Sequence, residues 1–111
     1  LERTDQVLKQ VAGWLKVITR ESDVVARIGG EEFAEIAPHA KHAELLIIAE
    51  RYRETIGSVK VDLGNGVVLR PTISVGAATS ADGITDPAEL FKIADEKLYE
   101  AKRGGRNRVA A

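Results

Sequence analysis

A chain of 111 residues is one domain by size, long enough to bury a single core and too short for two. Hydrophobic residues make up 44% and charged residues 30%, and 16 Lys and Arg against 17 Asp and Glu leave a net charge of −1, a globular composition that disfavours general nucleic-acid coating. The absence of Cys excludes disulfides, thiolate zinc sites and cysteine nucleophiles.

From Thr4 to Ile18 the apolar residues Val7, Leu8, Val11, Ala12, Leu15 and Ile18 recur at helical spacing and predict an amphipathic helix. The chain thus opens directly on a helix, with Asp5 in its first turn, where a sheet of this size would usually receive another strand. Val24 to Ile28 and Phe33 to Ala37 are two short apolar runs around Gly29-Gly30-Glu31-Glu32, which reads as a β-hairpin. A second helix is expected over Ala40 to Ile56, with Gly57 as the residue past its end. Val59, Val61 and Leu63 alternate up to Asn65-Gly66, a two-residue hairpin turn, before Val67, Val68 and Leu69 resume.

Thr72 to Thr79 predicts a strand with Ile73, Val75 and Ala77 on one face. The other face, Thr72, Ser74 and Gly76, is bare enough for close approach by a neighbour. Asp86-Pro87-Ala88-Glu89 combines an N-cap, a proline at the first helical position and a capping-box Glu ahead of Leu90, Phe91, Ala94, Leu98 and Ala101. Gly104-Gly105 ends that helix, and Val109 starts a last strand. The expected class is α+β: a layered domain with a mainly antiparallel central sheet flanked by helices. No apolar run approaches the roughly 18 residues of a membrane span, and no charged leader precedes one, so a cytoplasmic domain without membrane contact is expected.

Three segments could carry chemistry. Gly29 and Gly30 would let backbone approach a bulky anion, and Glu31 or Glu32 offers the hard oxygens that Mg²⁺ prefers when it also holds phosphates; taken alone, the segment more often marks a tight turn with solvated acids. Arg20 and Asp23 could clamp a guanine nucleotide, Arg through phosphate or the Hoogsteen edge and Asp through the N1 and N2 groups. The plainer alternative is a cation offsetting a helix C-terminus, worth about 0.3–1 kcal/mol. Lys102-Arg103-Gly104-Gly105-Arg106-Asn107-Arg108 places four cations without an acid, of which Lys102 and Arg106 could neutralise a triphosphate. A nucleic-acid patch is disfavoured there by the missing aromatic interleaving. His39 and His42 read as solvated.

In this order the pieces resemble the GGDEF domain of diguanylate cyclases, which join two GTP into cyclic di-GMP. The resemblance rests on Arg27-Ile28-Gly29-Gly30-Glu31-Glu32-Phe33, on Thr72-Ile73-Ser74-Val75-Gly76, and on Ala94-Asp95 through Tyr99-Glu100-Ala101-Lys102 to Gly105-Arg106-Asn107-Arg108-Val109. It implies a nucleotide-cyclase or palm-like fold over residues 1–111, corresponding to the C-terminal two-thirds of the family domain. It further implies catalytic roles for Glu31, a metal ligand, and Glu32; substrate binding by Asp5, Gly29, Gly30, Lys102 and Arg106; and an RxxD product-inhibition site of Arg20 and Asp23 completed by Arg51. Mg²⁺ or Mn²⁺ is the implied cofactor, GTP and cyclic di-GMP the implied ligands, and a homodimer the catalytic form. The chain departs from the family pattern at its start. The strand with an Asp metal ligand, the helix and loop with a guanine-contacting Asn, and the Gly before Asp5 are missing, so the chain by itself is expected to be inactive or nearly so. A cyclic di-GMP receptor that keeps Arg20 and Asp23 without catalysis is the alternative.

Overall fold

The computed structural model describes residues 23–111. The expected helix Thr4–Ile18, with Asp5, and Arg20 beyond it, lie outside the described residues.

Strands β1 (Val24–Gly29) and β2 (Glu32–Ile36) form the expected antiparallel hairpin around Gly30-Glu31, with Ala26 opposite Ala34 and a register shift between Arg27 and Gly29. Helix α1 (His42–Gly57) follows and buries Leu45, Ala49, Tyr52 and Ile56. Gly57 is its last helical residue rather than the residue beyond it; Ser58 caps the end in a right-handed conformation, its N–H donating to the Glu54 carbonyl. Strands β3 (Val61–Gly64) and β4 (Val67–Leu69) pair antiparallel across Asn65-Gly66, whose φ values of 53° and 77° are the left-handed pair that a tight hairpin needs. They make a two-stranded sheet of their own.

Strand β5 (Ser74–Ala78) is buried throughout. After a short 3₁₀ turn, helix α2 (Pro87–Arg103) starts as expected: Asp86 caps it by accepting from the Ala88 N–H, and Pro87 opens the first turn. Strand β6 (Val109–Ala110) ends the fold.

The main sheet runs β1-β2-β5-β6. The α+β class stands, but the sheet is mixed rather than mainly antiparallel: β2 pairs with β5, and β5 with β6, in parallel. The reason is connectivity. α1 lies between β2 and β5 in the chain, and α2 between β5 and β6, and each crossover carries the chain back to the end of the sheet where the preceding strand began, so the strands it joins run the same way.

Among the described residues, each sheet face receives one helix. Phe33, Ile73, Val75 and Ala77 pack with Leu45, Ala49, Tyr52 and Ile56 of α1, while Ala34 and Ala78 pack with Leu90 and Ala94 of α2. On the α2 side the bare face of β5 does what its composition suggested. A Cβ on Gly76 would stand 2.1 Å from the Ala94 carbonyl oxygen and from the Leu98 nitrogen, so helix backbone rests directly on strand backbone. That contact fixes how far the C-terminal end of α2 sits from the β1–β2 turn.

Candidate functional site

The acidic turn and the basic helix end meet. β1 and β2 carry Gly30-Glu31 to one end of the sheet, and the Glu31 carbonyl accepts from the Ser74 N–H at 2.9 Å, tying the turn to β5. The Arg27 side chain folds back over the turn, its Nε donating to the Gly30 carbonyl at 3.1 Å. At Glu32 the chain re-enters the sheet, and its carboxylate turns toward α2. Lys102 Nζ lies 3.1 Å from Glu32 Oε1, and Arg106 Nη1 lies 3.5 Å from the same oxygen. Glu32 is one-fifth exposed, so these contacts sit at the mouth of a cleft and not in open solvent.

The two glycines have different jobs. A Cβ on Gly29 would come within 2.6 Å of Glu32 Oε2, so Gly29 makes room for that carboxylate. A Cβ on Gly30 would meet nothing within 4 Å. The space over Gly30 is therefore open, room in which a bulky anion could approach the backbone. Glu31 is exposed at the tip of the turn.

A cleft of about 190 Å³ opens beside Glu32, lined also by Ile28, Asp95, Leu98, Tyr99 and Lys102. The sequence reading gave no site role to Ile28, Asp95 or Tyr99. The signal was present, because Asp95, Tyr99 and Lys102 recur at i, i+4 and i+7 and so share one face of α2. Tyr99 is exposed and its ring lies under the Arg103 guanidinium, 5.7 Å from the centroid.

The two proposed inhibitory residues that are described, Asp23 and Arg51, do not line this cleft. Asp23 is half-buried just before β1, and Arg51 lies exposed on the outer side of α1, in an open groove of about 550 Å³ shared with Leu46, Ile47, Glu50 and Glu54. Arg20, which would join them, lies outside the described residues, as does Asp5. His39 and His42 are exposed, and among the described residues no group of three or more His, Asp or Glu could hold a metal unaided.

The family profile described as "Diguanylate cyclase, GGDEF domain" matches residues 2–108. The chain belongs to the GGDEF domain family. It is 46% identical over 105 residues to "Uncharacterized protein YhcK" of Bacillus subtilis (strain 168), covering 95% of this chain and 29% of that protein. It is also similar to two proteins of Escherichia coli (strain K12). "Diguanylate cyclase DosC" is 41% identical over 105 residues, 95% of this chain and 23% of that protein. "Probable diguanylate cyclase DgcT" is 36% identical over 106 residues, 95% of this chain and 24% of that protein. The chain thus spans between 23% and 29% of the length of these relatives. Within the GGDEF signature of this chain, the carboxylate that reaches the cations is the second, Glu32, while the first, Glu31, is exposed at the tip of the turn. Among the described residues, no helix is long and apolar enough to cross a membrane.

Proposed function

We propose that this GGDEF domain serves a diguanylate cyclase, condensing two GTP into cyclic di-GMP with release of pyrophosphate, under product inhibition through Arg20, Asp23 and Arg51. The observation that carries the reading is the shared contact of Glu32 with Lys102 and Arg106. A cleft that recognised only anions would have no use for carboxylates, and one that recognised only cations would have none for Lys102 and Arg106. A metal-bound triphosphate presents both signs of charge and needs both.

In this reading Lys102, a point charge, and Arg106, a planar fork, balance the phosphate oxygens. Glu31 and Glu32 would hold the Mg²⁺ or Mn²⁺ ion; two carboxylates fit such an ion because substrate phosphates and water complete its shell. When bound, the ion supplies activation of a ribose 3′-hydroxyl and stabilisation of the leaving pyrophosphate. Gly30 leaves room for the phosphates, and Asp5 would read the guanine. One cleft grips one GTP, so two domains must meet face to face, and charge stabilisation with positioning does the work.

Titration calorimetry with Mg²⁺-GTP tests the substrate half of the proposal. Binding is expected in the 111-residue chain, weakened about tenfold in Lys102→Ala and in Arg106→Ala, as for loss of a charge-assisted contact; unchanged affinity in both variants would remove its basis. Titration with cyclic di-GMP tests the product half: binding that Arg20→Ala abolishes supports the inhibitory site, and binding without any turnover in the longer parent protein would favour the receptor alternative.

A further inference from the structure

We infer that Asn107 and Arg53 are positioning residues for Arg106, holding its guanidinium on the cleft from the opposite face of the sheet; the inference rests on the reading of Arg106 as a phosphate-binding residue. The segment after α2 has an unusual backbone. Gly105 has φ 120°, and the two residues that follow, Arg106 and Asn107, have φ 64° and 45°, a left-handed conformation that side chains beyond glycine rarely adopt. Consecutive residues of this kind persist only where the surroundings hold them. Asn is among the residues that tolerate the conformation; Arg is not, and Arg106 is the one whose side chain turns back to Glu32.

Four contacts fix the segment. The Arg106 N–H donates to the Ala101 carbonyl at 3.1 Å, closing the end of α2. Arg108 Nε donates to the Arg106 carbonyl at 3.1 Å, and the Arg108 carbonyl accepts from the Val75 N–H at 3.0 Å, which anchors the far side on β5. The fourth comes from α1. Arg53 Nη1 donates to Asn107 Oδ1 at 3.2 Å, and Arg53 is itself held by Glu50, with Nε 2.7 Å from Oε1 and Nη2 on the same oxygen. That bond to Glu50 also raises the basicity of the Arg53 guanidinium.

Two of these are backbone–backbone bonds that any sequence could supply, and the Arg108 Nε bond stays within the segment itself. The fourth uses two specific side chains to join the segment to a helix on the opposite face of the sheet, and it grips the residue next to Arg106. Without it, Arg106 keeps its place in the chain but has less reason to remain left-handed, and its guanidinium is free to leave Glu32. Neither Arg53 nor Asn107 touches the cleft.

Nε–Hε NMR of Arg106, its resonance identified by loss in Arg106→Lys, reads the positioning without any nucleotide. An ordered guanidinium is expected in the wild-type chain and in Asn107→Asp, which keeps the acceptor, and a mobile one in Asn107→Ala and Arg53→Gln. In parallel, Mg²⁺-GTP affinity should fall roughly fivefold in Asn107→Ala and Arg53→Gln, stay within about twofold in Asn107→Asp, and show no further loss when Asn107→Ala is added to Arg106→Ala. An Arg106 resonance unchanged in both disrupting variants overturns the inference, as does an equal affinity loss in the Arg106→Ala background. Wild-type protein that binds no GTP while its Arg106 resonance still responds to Asn107→Ala overturns the phosphate reading and supports the positioning.

Discussion

Glu32 holds one negative charge between two positive ones, and that imbalance makes its substitution informative. Glu32→Gln keeps shape and hydrogen-bonding capacity while releasing Lys102 and Arg106 from their shared partner. Metal-free pyrophosphate or GTP should then bind more tightly, while the gain in GTP affinity on adding Mg²⁺ should shrink, by about tenfold if the carboxylate contributes to holding the ion. Calorimetry with and without Mg²⁺ reads both. Equal changes in the two titrations would mean that Glu32 is only a counter-ion for the cations. At this scale the sequence named Glu31 and Glu32 together and gave the metal to Glu31, with Glu32 beside it supporting the site; it did not show that Glu32 is the one beside Lys102 and Arg106. Glu31 lies in the turn and Glu32 is the first residue of β2, so which carboxylate meets α2 is set by where the strand begins and how the helix packs on it, which no local pattern reports.

The distance between acidic turn and basic helix end depends on two elements, β5 and α2, touching backbone to backbone at Gly76. Gly76→Ala puts a methyl group where the Ala94 and Leu98 backbone now lies, and overpacking of this kind should cost about 3 kcal/mol, lowering the melting temperature by roughly 10 °C or more. Gly66→Ala, at φ 77° in the exposed β3–β4 turn, should cost only about 1 kcal/mol and leave the cleft intact; thermal unfolding compares the two. Both glycines were legible, Gly66 from Asn65-Gly66 between apolar runs and Gly76 from the bare face of its strand. The cap at Asp86-Pro87 was legible for the same reason, since each rests on chemistry within a few residues. Strand direction was not. Parallel pairing of β2 with β5 arises from a crossover through α1 and an intervening hairpin, and no local pattern of Phe33 to Ile36 or of Ser74 to Ala78 reports it. The Arg53–Asn107 contact, 54 positions apart, was out of reach for the same reason.

Over the whole molecule the charge is nearly balanced, yet Lys102, Arg103, Arg106 and Arg108 stand together without an acid in that stretch of chain. Attraction of a triphosphate to such a cluster is screened by salt, so Mg²⁺-GTP affinity should fall steadily as ionic strength rises, and fall less steeply in Arg106→Ala. If each cleft takes one GTP, as proposed, two domains must meet, so cyclic di-GMP formation by the parent protein should rise more steeply than linearly with protein concentration over the range in which the domains associate. The convergence of the GGDEF turn with the end of α2 on a metal-bound triphosphate is best tested by paramagnetic broadening. With Mn²⁺ and GTP added together, amide resonances of residues 29–32 and of residues 102–106 should broaden as one group, and Mn²⁺ without nucleotide should broaden them far less. Broadening scattered over exposed acids elsewhere, or confined to one of the two segments, would contradict it.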